Sequence, residues 1–322
     1  MDLTWFYILG YTLLLLVTGY LLPFSKNKRM ARVCAWFIAV VTVLLSAVFT
    51  SDQAPLTRMV TIVFLQLLSM KIVVAVESYP GKNRLKAFQW IAFAVGWFGM
   101  RPVLFEKLPS PSLPMTHLVL KGVSRILMGF FFLYLSTVLE QYPLLARFFL
   151  PQLLLLVGLS LILHFGILNL ATAAWRALGV NVSELFRSPF RSKSLKEFWG
   201  KRWNVAFSEM TALIAYRPLK TKIGIEKAVI ASFLLSGLLH EIAISLPARA
   251  GYGLPLIYFG IHAFAMHLEA KSQLIQKITQ HKFLSHVWVM TLLVLPMPLL
   301  FHPGFMQHVL IPLRTLLLQG IL

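Results

Sequence analysis

Apolar stretches of about twenty residues recur along the whole chain, separated by more polar segments. A helix of that length crosses the roughly 30 Å hydrocarbon core of a bilayer. With 58% hydrophobic and 13% charged residues among 322, the composition excludes a water-soluble globular domain. The sequence therefore predicts an all-α, polytopic integral membrane protein with about eight to ten transmembrane helices, plus interfacial and re-entrant ones. The eight clearest runs lie at 3–23, 31–50, 56–76, 117–139, 150–175, 227–246, 252–271 and 283–301.

Two shorter apolar runs, 87–100 and 309–322, do not clearly span a membrane. The first, at 14 residues, is better accommodated as a buried or re-entrant segment. The chain shows no repeat of fixed period, no low-complexity tract and no linker that would separate a second domain. We therefore expect a single membrane-embedded domain over 1–322, with its polar motifs concentrated in 194–245.

The chain carries 30 Lys and Arg against 11 Asp and Glu, a formal net charge of +19. In a membrane protein such an excess is typical of cytoplasmic loops that face anionic lipid headgroups, and no nucleic-acid-binding motif accompanies it. The basic loop 25–32 and the basic region 176–227 are therefore predicted to be cytosolic, with the N-terminus outside. The sequence does not distinguish a bacterial inner membrane from the endoplasmic reticulum.

Disulfide and metal chemistry find little support in the sequence. The one cysteine, Cys34, lies inside an apolar run and excludes an intramolecular disulfide and a cysteine-based zinc site. His262 and His267 lie five positions apart, a spacing that does not place two ligands on one helix face. We expect them to make core hydrogen bonds or to line a tunnel. No metal ion and no cofactor are predicted.

The segment SLKEFWGKRWN, residues 194–204, concentrates charges and aromatic rings in an otherwise apolar chain. Ser194 and Glu197 have the spacing of a capping box, in which a hydroxyl and a carboxylate each bind a backbone N–H at a helix start. The spacing predicts a helix in the headgroup plane, with its rings toward the acyl chains. Its predicted apolar face comprises Leu195, Trp199, Trp203, Ala206 and Met210. An amphipathic anchor explains the rings and cations, but it does not explain the amide of Asn204 beside the apolar face.

A second group of polar residues interrupts the run SFLLSGLLHEIAIS, residues 232–245. An ionisable side chain costs about 3 kcal/mol at the middle of a bilayer, so the adjacent His240 and Glu241 require a reason. Ser236 lies one helical turn before His240 on the same face, and Gly237 allows close approach of a backbone or a ligand. Glu241 points about 100° away from His240, which favours a contact with another helix. A neutral His240 hydrogen-bonded to a neighbouring helix is the structural alternative.

Together these motifs resemble the signature of the membrane-bound O-acyltransferase superfamily, specifically its wax synthase-like branch, which pairs an FWxxRWN segment with a downstream histidine in an SGxxHE span. In this chain the two read FWGKRWN at 198–204 and SGLLHE at 236–241. GMRP at 99–102, YRPL at 216–219 and LFHPGFMQHVLIPL at 300–313 also fit that branch. The resemblance is dense in the second half of the chain and covers the first half mainly by hydropathy.

The resemblance implies a fold like that of the superfamily and an acyl-CoA-dependent O-acyltransferase that esterifies a lipophilic alcohol. It assigns the active-site positions to His240 and Asn204. His240 would be the general base, because imidazole titrates near neutral pH, and Asn204 would orient or stabilise the thioester carbonyl. The other candidate substrate-binding residues are Trp199, Lys201, Arg202, Trp203, Ser236 and Glu241, and the candidate contacts for coenzyme A phosphates are Lys193, Lys196, Lys201, Arg202, Lys220 and Lys222. The acceptor stays open among a long-chain alcohol, a diacylglycerol, a sterol, a terpenoid and a saccharide.

A different class of protein also fits some of these residues. In a proton-coupled secondary transporter, His240, Glu241 and Glu269 would form a proton relay. Against this hypothesis, the chain lacks paired Gly- or Pro-broken spans in matching halves, and a transporter has no need of an aromatic and basic interfacial segment. The expected partners are therefore acyl-CoA, a lipophilic alcohol and membrane lipids, with no nucleic acid.

Overall fold

Residues 3–82, 84–144 and 149–319 are described by the computed structural model, and within them the chain is helical with no β-strand. This confirms the predicted all-α class. Consecutive α- and π-helical parts are given together as one helix, and isolated helical turns of three or four residues are left out. The helices are α1 (Leu3–Leu21), α2 (Lys28–Phe49), α3 (Pro55–Ser78), α4 (Ala87–Gly96), α5 (Thr116–Glu140), α6 (Leu150–Ser160, Leu161–Ile167 and Leu168–Ala177), α7 (Leu195–Glu197 and Phe198–Arg202), α8 (Val205–Thr211, Ala212–Tyr216 and Arg217–Ile223), α9 (Ile225–His240, Glu241–Ser245 and Leu246–Ala248), α10 (Leu254–Lys271), α11 (Gln273–Gln280), α12 (Lys282–Val294) and α13 (Pro303–Phe305, Met306–Leu310 and Ile311–Leu318).

Seven helices within the described ranges are long and apolar enough to cross a membrane, which confirms a multi-pass protein but falls below the eight to ten spans expected. Each of the seven corresponds to one of the eight clearest apolar runs. The remaining run, 252–271, forms α10. The last turns of this helix carry Glu269 and Lys271 and are therefore less apolar. The 10-residue α4 is about 15 Å long, half the hydrocarbon thickness, so it does not cross the bilayer by itself.

The chain divides into two compact units. The first comprises Met1–Glu106 and Arg187–Met306, and the second comprises Lys107–Phe186 and Gln307–Leu322. In the first unit α3 is the central helix, since 72% of its apolar window is buried, against 17% to 28% for the other spans of that unit. The single domain over 1–322 that the sequence analysis expects stays a prediction.

A buried lysine fixes α4 against α3. Lys71 is 0% exposed. Its ammonium donates to the carbonyl oxygens of Phe93 at 2.6 Å, Trp97 at 2.5 Å and Gly99 at 3.0 Å. The last carbonyls of a helix have no partner within the helix. Lys71 therefore supplies donors at the end of α4 and also binds the first residue of the GMRP segment.

Polar contacts near the helix termini show how the spans of the first unit run. The Arg32 guanidinium pairs with Glu77, so the start of α2 lies beside the end of α3. The Arg249 guanidinium donates to the carbonyl of Ser51, which follows the other end of α2. Because α9 ends just before Arg249, its first residues lie at the end of the unit that carries the basic loop 25–32.

The second unit is held by close helix packing and by an ion pair whose arginine is buried. A Cβ atom added at Gly129 of α5 would lie 2.8 Å from the carbonyl oxygen of Gly158 of α6, and one added at Gly158 would lie 2.9 Å from the oxygen of Gly129. Any larger residue would push the two helices apart. Arg314 of α13, only 7% exposed, donates to Glu140 at the end of α5 at 2.7 Å.

Candidate active site

The start of α7 agrees with the sequence prediction. The Ser194 hydroxyl accepts a hydrogen bond from the N–H of Glu197 at 3.0 Å, one half of the predicted capping box. The Glu197 carboxylate instead accepts from the N–H of Lys193 at 2.8 Å and from the Arg202 guanidinium at 2.7 Å. Burial opposes ionisation of Glu197, but these two hydrogen bonds and the positive charge of Arg202 outweigh it and lower the pKa of the carboxyl.

The prediction of one continuous helix from Leu195 to Met210 was wrong. Phe198–Arg202 forms a π-helical turn, and Asn204 adopts a left-handed backbone with φ of 43° and ψ of 64°. Asparagine tolerates this conformation better than most residues. Its Oδ1 accepts from the N–H of Phe207 at 3.2 Å and so caps α8. The chain therefore turns at the last residue of the motif. The apolar residues keep a helical spacing on both sides of Asn204, so the sequence pattern does not indicate this turn.

A cavity of about 200 Å³ opens beside this turn, within the first unit. Residues of α7, α8, α9 and α10 form its wall. Asn204 and His240 both line it, although they belong to different helices and are distant in the sequence. Lys196, one of the candidate phosphate contacts, lines the same cavity.

The His240 imidazole has a defined tautomer. Its Nδ1 lies 2.7 Å from the carbonyl oxygen of Ser236, one turn earlier in α9. A carbonyl oxygen only accepts, so Nδ1 carries the hydrogen and Nε2 keeps its lone pair. The ring packs against Phe207 and Phe259, at centroid distances of 5.5 Å and 4.4 Å. His240 therefore presents an oriented proton acceptor at the cavity wall.

The amide of Asn204 is oriented by its cap. Because Oδ1 is engaged by the N–H of Phe207, the Nδ2 group occupies the other side of the amide. Within the part of the chain that the structure describes, Nδ2 has no hydrogen-bond partner. A fixed amide N–H of this kind can donate to an oxygen that gains negative charge.

Of the six other predicted substrate-binding residues, three line the cavity and three do not. Those that line the cavity are Trp199, Trp203 and Ser236, and those that do not are Lys201, Arg202 and Glu241. The Arg202 guanidinium also donates to the carbonyl oxygens of Arg187 and Ser188, at 3.2 Å and 3.4 Å. The fold thus accounts for the position of Arg202, and substrate contacts through the three residues outside the cavity wall stay predictions.

Two carboxylates of the hypothetical proton relay bind backbone instead. Glu269 accepts from the N–H of Leu195 at 2.8 Å and from the indole N–H of Trp288 at 2.9 Å, so it fixes the start of α7 to α10 and α12. Glu241 accepts from the N–H of Leu256 at 3.1 Å. Neither carboxylate lines the cavity. The geometry therefore does not favour a relay.

Several cavity residues were not predicted from the sequence. They are Phe207, Ser208, Thr211, Tyr216, Phe233, Phe259 and Met266. Those on α8 follow the turn at Asn204, which no sequence pattern indicates. Phe259 and Met266 are seven positions apart, a spacing that marks one helix face and could have paired them. Among the described residues, no group of three His, Cys, Asp or Glu side chains is placed to hold a metal ion.

The sequence comparisons concern this same part of the chain. A family model described as the membrane bound O-acyl transferase family matches residues 182–259. That range contains α7, α8, α9 and the first turns of α10. It therefore includes both Asn204 and His240.

Three relatives show where the similarity lies. The long-chain-alcohol O-fatty-acyltransferase of Simmondsia chinensis is 31% identical over 88 residues, 25% of this chain and 25% of the relative. The probable long-chain-alcohol O-fatty-acyltransferase 6 of Arabidopsis thaliana is 28% identical over 142 residues, 41% of each chain. The diacylglycerol O-acyltransferase 1-1 of Oryza sativa subsp. japonica is 33% identical over 67 residues, 20% of this chain and 12% of the relative. The chain thus spans less than half the length of each.

The fold and the cavity define a helical, multi-pass membrane protein with a histidine and an asparagine at one largely apolar site. The family match over residues 182–259 and the relatives show that this part of the chain is similar to the membrane bound O-acyl transferase family. This confirms the resemblance of the motifs. The roles of Asn204 and His240 stay predictions.

Proposed function

We propose that the protein is an O-acyltransferase that joins a fatty acyl group to the hydroxyl of a long-chain alcohol. The Simmondsia and Arabidopsis relatives are named for this reaction. One observation carries the proposal: within the described residues, His240 and Asn204 line one cavity, and neither Nε2 of His240 nor Nδ2 of Asn204 has a hydrogen-bond partner. A proton acceptor and a donor for an oxyanion are the two groups that acyl transfer from a thioester to an alcohol requires.

In the proposed reaction the acceptor oxygen attacks the carbonyl carbon of the thioester, while Nε2 of His240 removes the hydroxyl proton. The new C–O bond forms, the C–S bond breaks, and the imidazolium returns the proton to the departing thiolate. Nδ2 of Asn204 donates to the carbonyl oxygen as charge develops there, a contact whose loss costs about 3 kcal/mol in other enzymes. The histidine ends the cycle in its starting state, and no covalent acyl-enzyme is needed.

We propose acyl-CoA as the donor. Lys196 lines the cavity, and four further lysines close to the motif in sequence are exposed: Lys193, Lys201, Lys220 and Lys222. Ammonium groups bind phosphates as compact point charges. The coenzyme A phosphates can therefore stay in water beside these lysines while the thioester enters the cavity.

The proposed acceptor follows from the relatives and from the cavity wall. Aromatic rings of Phe207, Phe233 and Phe259 line the cavity and suit an alkyl chain, which gains about 0.8 kcal/mol per buried methylene. Because the rice relative is named for diacylglycerol, diacylglycerol is the second acceptor to examine.

The experiment compares membranes carrying the wild type, a His240→Ala variant and a His286→Ala variant. His286 is a matched control, because its Nδ1 makes the same bond to the carbonyl four residues earlier, that of Lys282 at 2.8 Å, but it does not line the cavity. With labelled palmitoyl-CoA and either hexadecanol or diacylglycerol, we expect the wild type and the control to form labelled ester. Loss of the base should slow His240→Ala by about 100-fold or more.

Three outcomes would count against the proposal. Ester formation by His240→Ala at the wild-type rate would remove the imidazole from the mechanism. Absence of ester with both alcohols, in membranes that contain normal amounts of wild-type protein, would contradict acyl transfer. Proton-coupled uptake of a solute without any ester would favour the transporter.

A further inference from the structure

Two buried polar atoms beside the cavity have no hydrogen-bond partner in the described part of the chain. One is the indole Nε1 of Trp199, and the other is Nε2 of His262, a residue that is 0% exposed. The two rings contact each other edge to face, with centroids 5.3 Å apart. A buried polar group without a partner costs about 1–3 kcal/mol, so two adjacent ones suggest that a further group completes them.

The hydrogen-bonding roles of the two atoms are opposite and fixed. Nδ1 of His262 lies 2.9 Å from the carbonyl oxygen of Tyr258, so Nδ1 carries the hydrogen and Nε2 is an acceptor. The indole Nε1 of Trp199 can only donate. A hydroxyl is the small neutral group that accepts one hydrogen bond and donates another through the same atom. A thioester carbonyl or an ether oxygen would satisfy Trp199 alone.

The pair adjoins the cavity that contains His240. Trp199 itself lines that cavity, and so do Phe259 and Met266, which flank His262 on α10. Phe259 packs against both the His240 ring and the Trp199 ring, at centroid distances of 4.4 Å and 5.5 Å. Phe259 therefore lies in contact with both the proposed base and the indole of the unpaired pair.

We propose that Trp199 and His262 form a hydroxyl-binding subsite of the cavity, with Trp199 donating to the hydroxyl oxygen and the hydroxyl donating to His262. The occupant is either a second hydroxyl of the acceptor, several carbons from the one that reacts, or an ordered water against which the acceptor packs. Both atoms are buried, so the oxygen enters as the indole shifts into the adjoining free volume of about 200 Å³. The identification of this ligand as the alcohol that accepts the acyl group rests on the proposed function.

The test measures alcohol binding by the purified full chain in detergent, from the rise in its thermal unfolding midpoint, with no acyl donor present. Dodecanol is compared with a series of dodecanediols in which the second hydroxyl moves along the chain. The variants are His262→Phe, Trp199→Phe, the double variant, and His286→Phe as the control outside the cavity. Trp199→Phe keeps an aromatic ring but removes the indole N–H together with part of the ring system, and it remains informative if His262→Phe does not fold.

If the acceptor supplies the hydroxyl, one diol should bind the wild type about tenfold more tightly than dodecanol. Either single variant should abolish the preference for that diol, and the double variant should bind the diol no more weakly than the single variants do. If water is the occupant, each variant should weaken dodecanol and diols equally, again without additivity. Wild-type affinity for every alcohol in both single variants would overturn the subsite, and so would independent, additive losses. This readout requires no turnover, so it is separate from any failure of acyl transfer.

Discussion

At the scale of single residues, Asn204 has a capping role and a proposed catalytic role, and the two involve different atoms. Oδ1 caps α8, whereas Nδ2 is the proposed donor to the thioester oxygen. In Asn204→Asp, an oxygen remains to cap and the residue type still tolerates a left-handed backbone, but a second acceptor replaces the donor. We expect ester formation to fall about 100-fold while the thermal unfolding midpoint in detergent stays at the wild-type value.

The Asn204→Gly variant separates the same tasks in another way. Glycine adopts a φ of 43° without strain, and as an N-cap it costs only a few tenths of a kcal/mol relative to asparagine. Stability should therefore be almost unchanged, although the whole amide is lost. Both variants should lower kcat far more than they raise KM for the alcohol. Full turnover in both would restrict Asn204 to its capping role.

At the scale of secondary structure, Lys71 binds carbonyl oxygens in the last turn of α4 and just beyond its end. In Lys71→Met an unbranched side chain of similar length remains, but the carbonyls of Phe93, Trp97 and Gly99 lose this donor. Each buried acceptor left unpaired costs about 1–3 kcal/mol. We expect a lower unfolding midpoint and faster proteolysis between α4 and α5, compared with Lys82→Met, where the replaced lysine is exposed. Equal midpoints for the two variants would show that α4 does not depend on the lysine.

How well each element could be predicted depends on how local its cause is. The helix start at Ser194 was predictable because cap and bonded N–H lie three residues apart, and most spans followed from hydropathy alone. The turn at Asn204 could not be predicted, because the residues before and after it continue the same apolar periodicity. The hydrogen bond from Lys71 to the carbonyl of Gly99 joins α3 to the segment after α4, and no sequence pattern in α3 or in that segment predicts it. In the site, motifs indicated Asn204 and His240, whereas the wall from α10 depended on packing.

At the scale of the whole molecule, orientation decides which side of the membrane would supply the proposed acyl donor. In the first unit, Lys271 binds Glu226 at 2.6 Å, so the end of α10 lies beside the start of α9. The Arg249 guanidinium and the Ser51 carbonyl mark the opposite end of that unit. The motif segment of α7 and α8 directly precedes α9 in the chain, which favours the end that carries the basic loop 25–32. This arrangement supports, but does not test, the predicted cytosolic position of 176–227.

Cysteine labelling provides that test, because Cys34 is the one native thiol. In a Cys34→Ser background, Ser51→Cys and Lys201→Cys each introduce a thiol at an exposed position. With a membrane-impermeant maleimide applied to spheroplasts of a bacterial host, we expect Ser51→Cys to react at once and Lys201→Cys only after the membrane is disrupted. The reverse pattern would place the motif outside. A highly charged donor such as acyl-CoA does not cross a bilayer unaided, so that result would also contradict supply of the thioester from the cytosol.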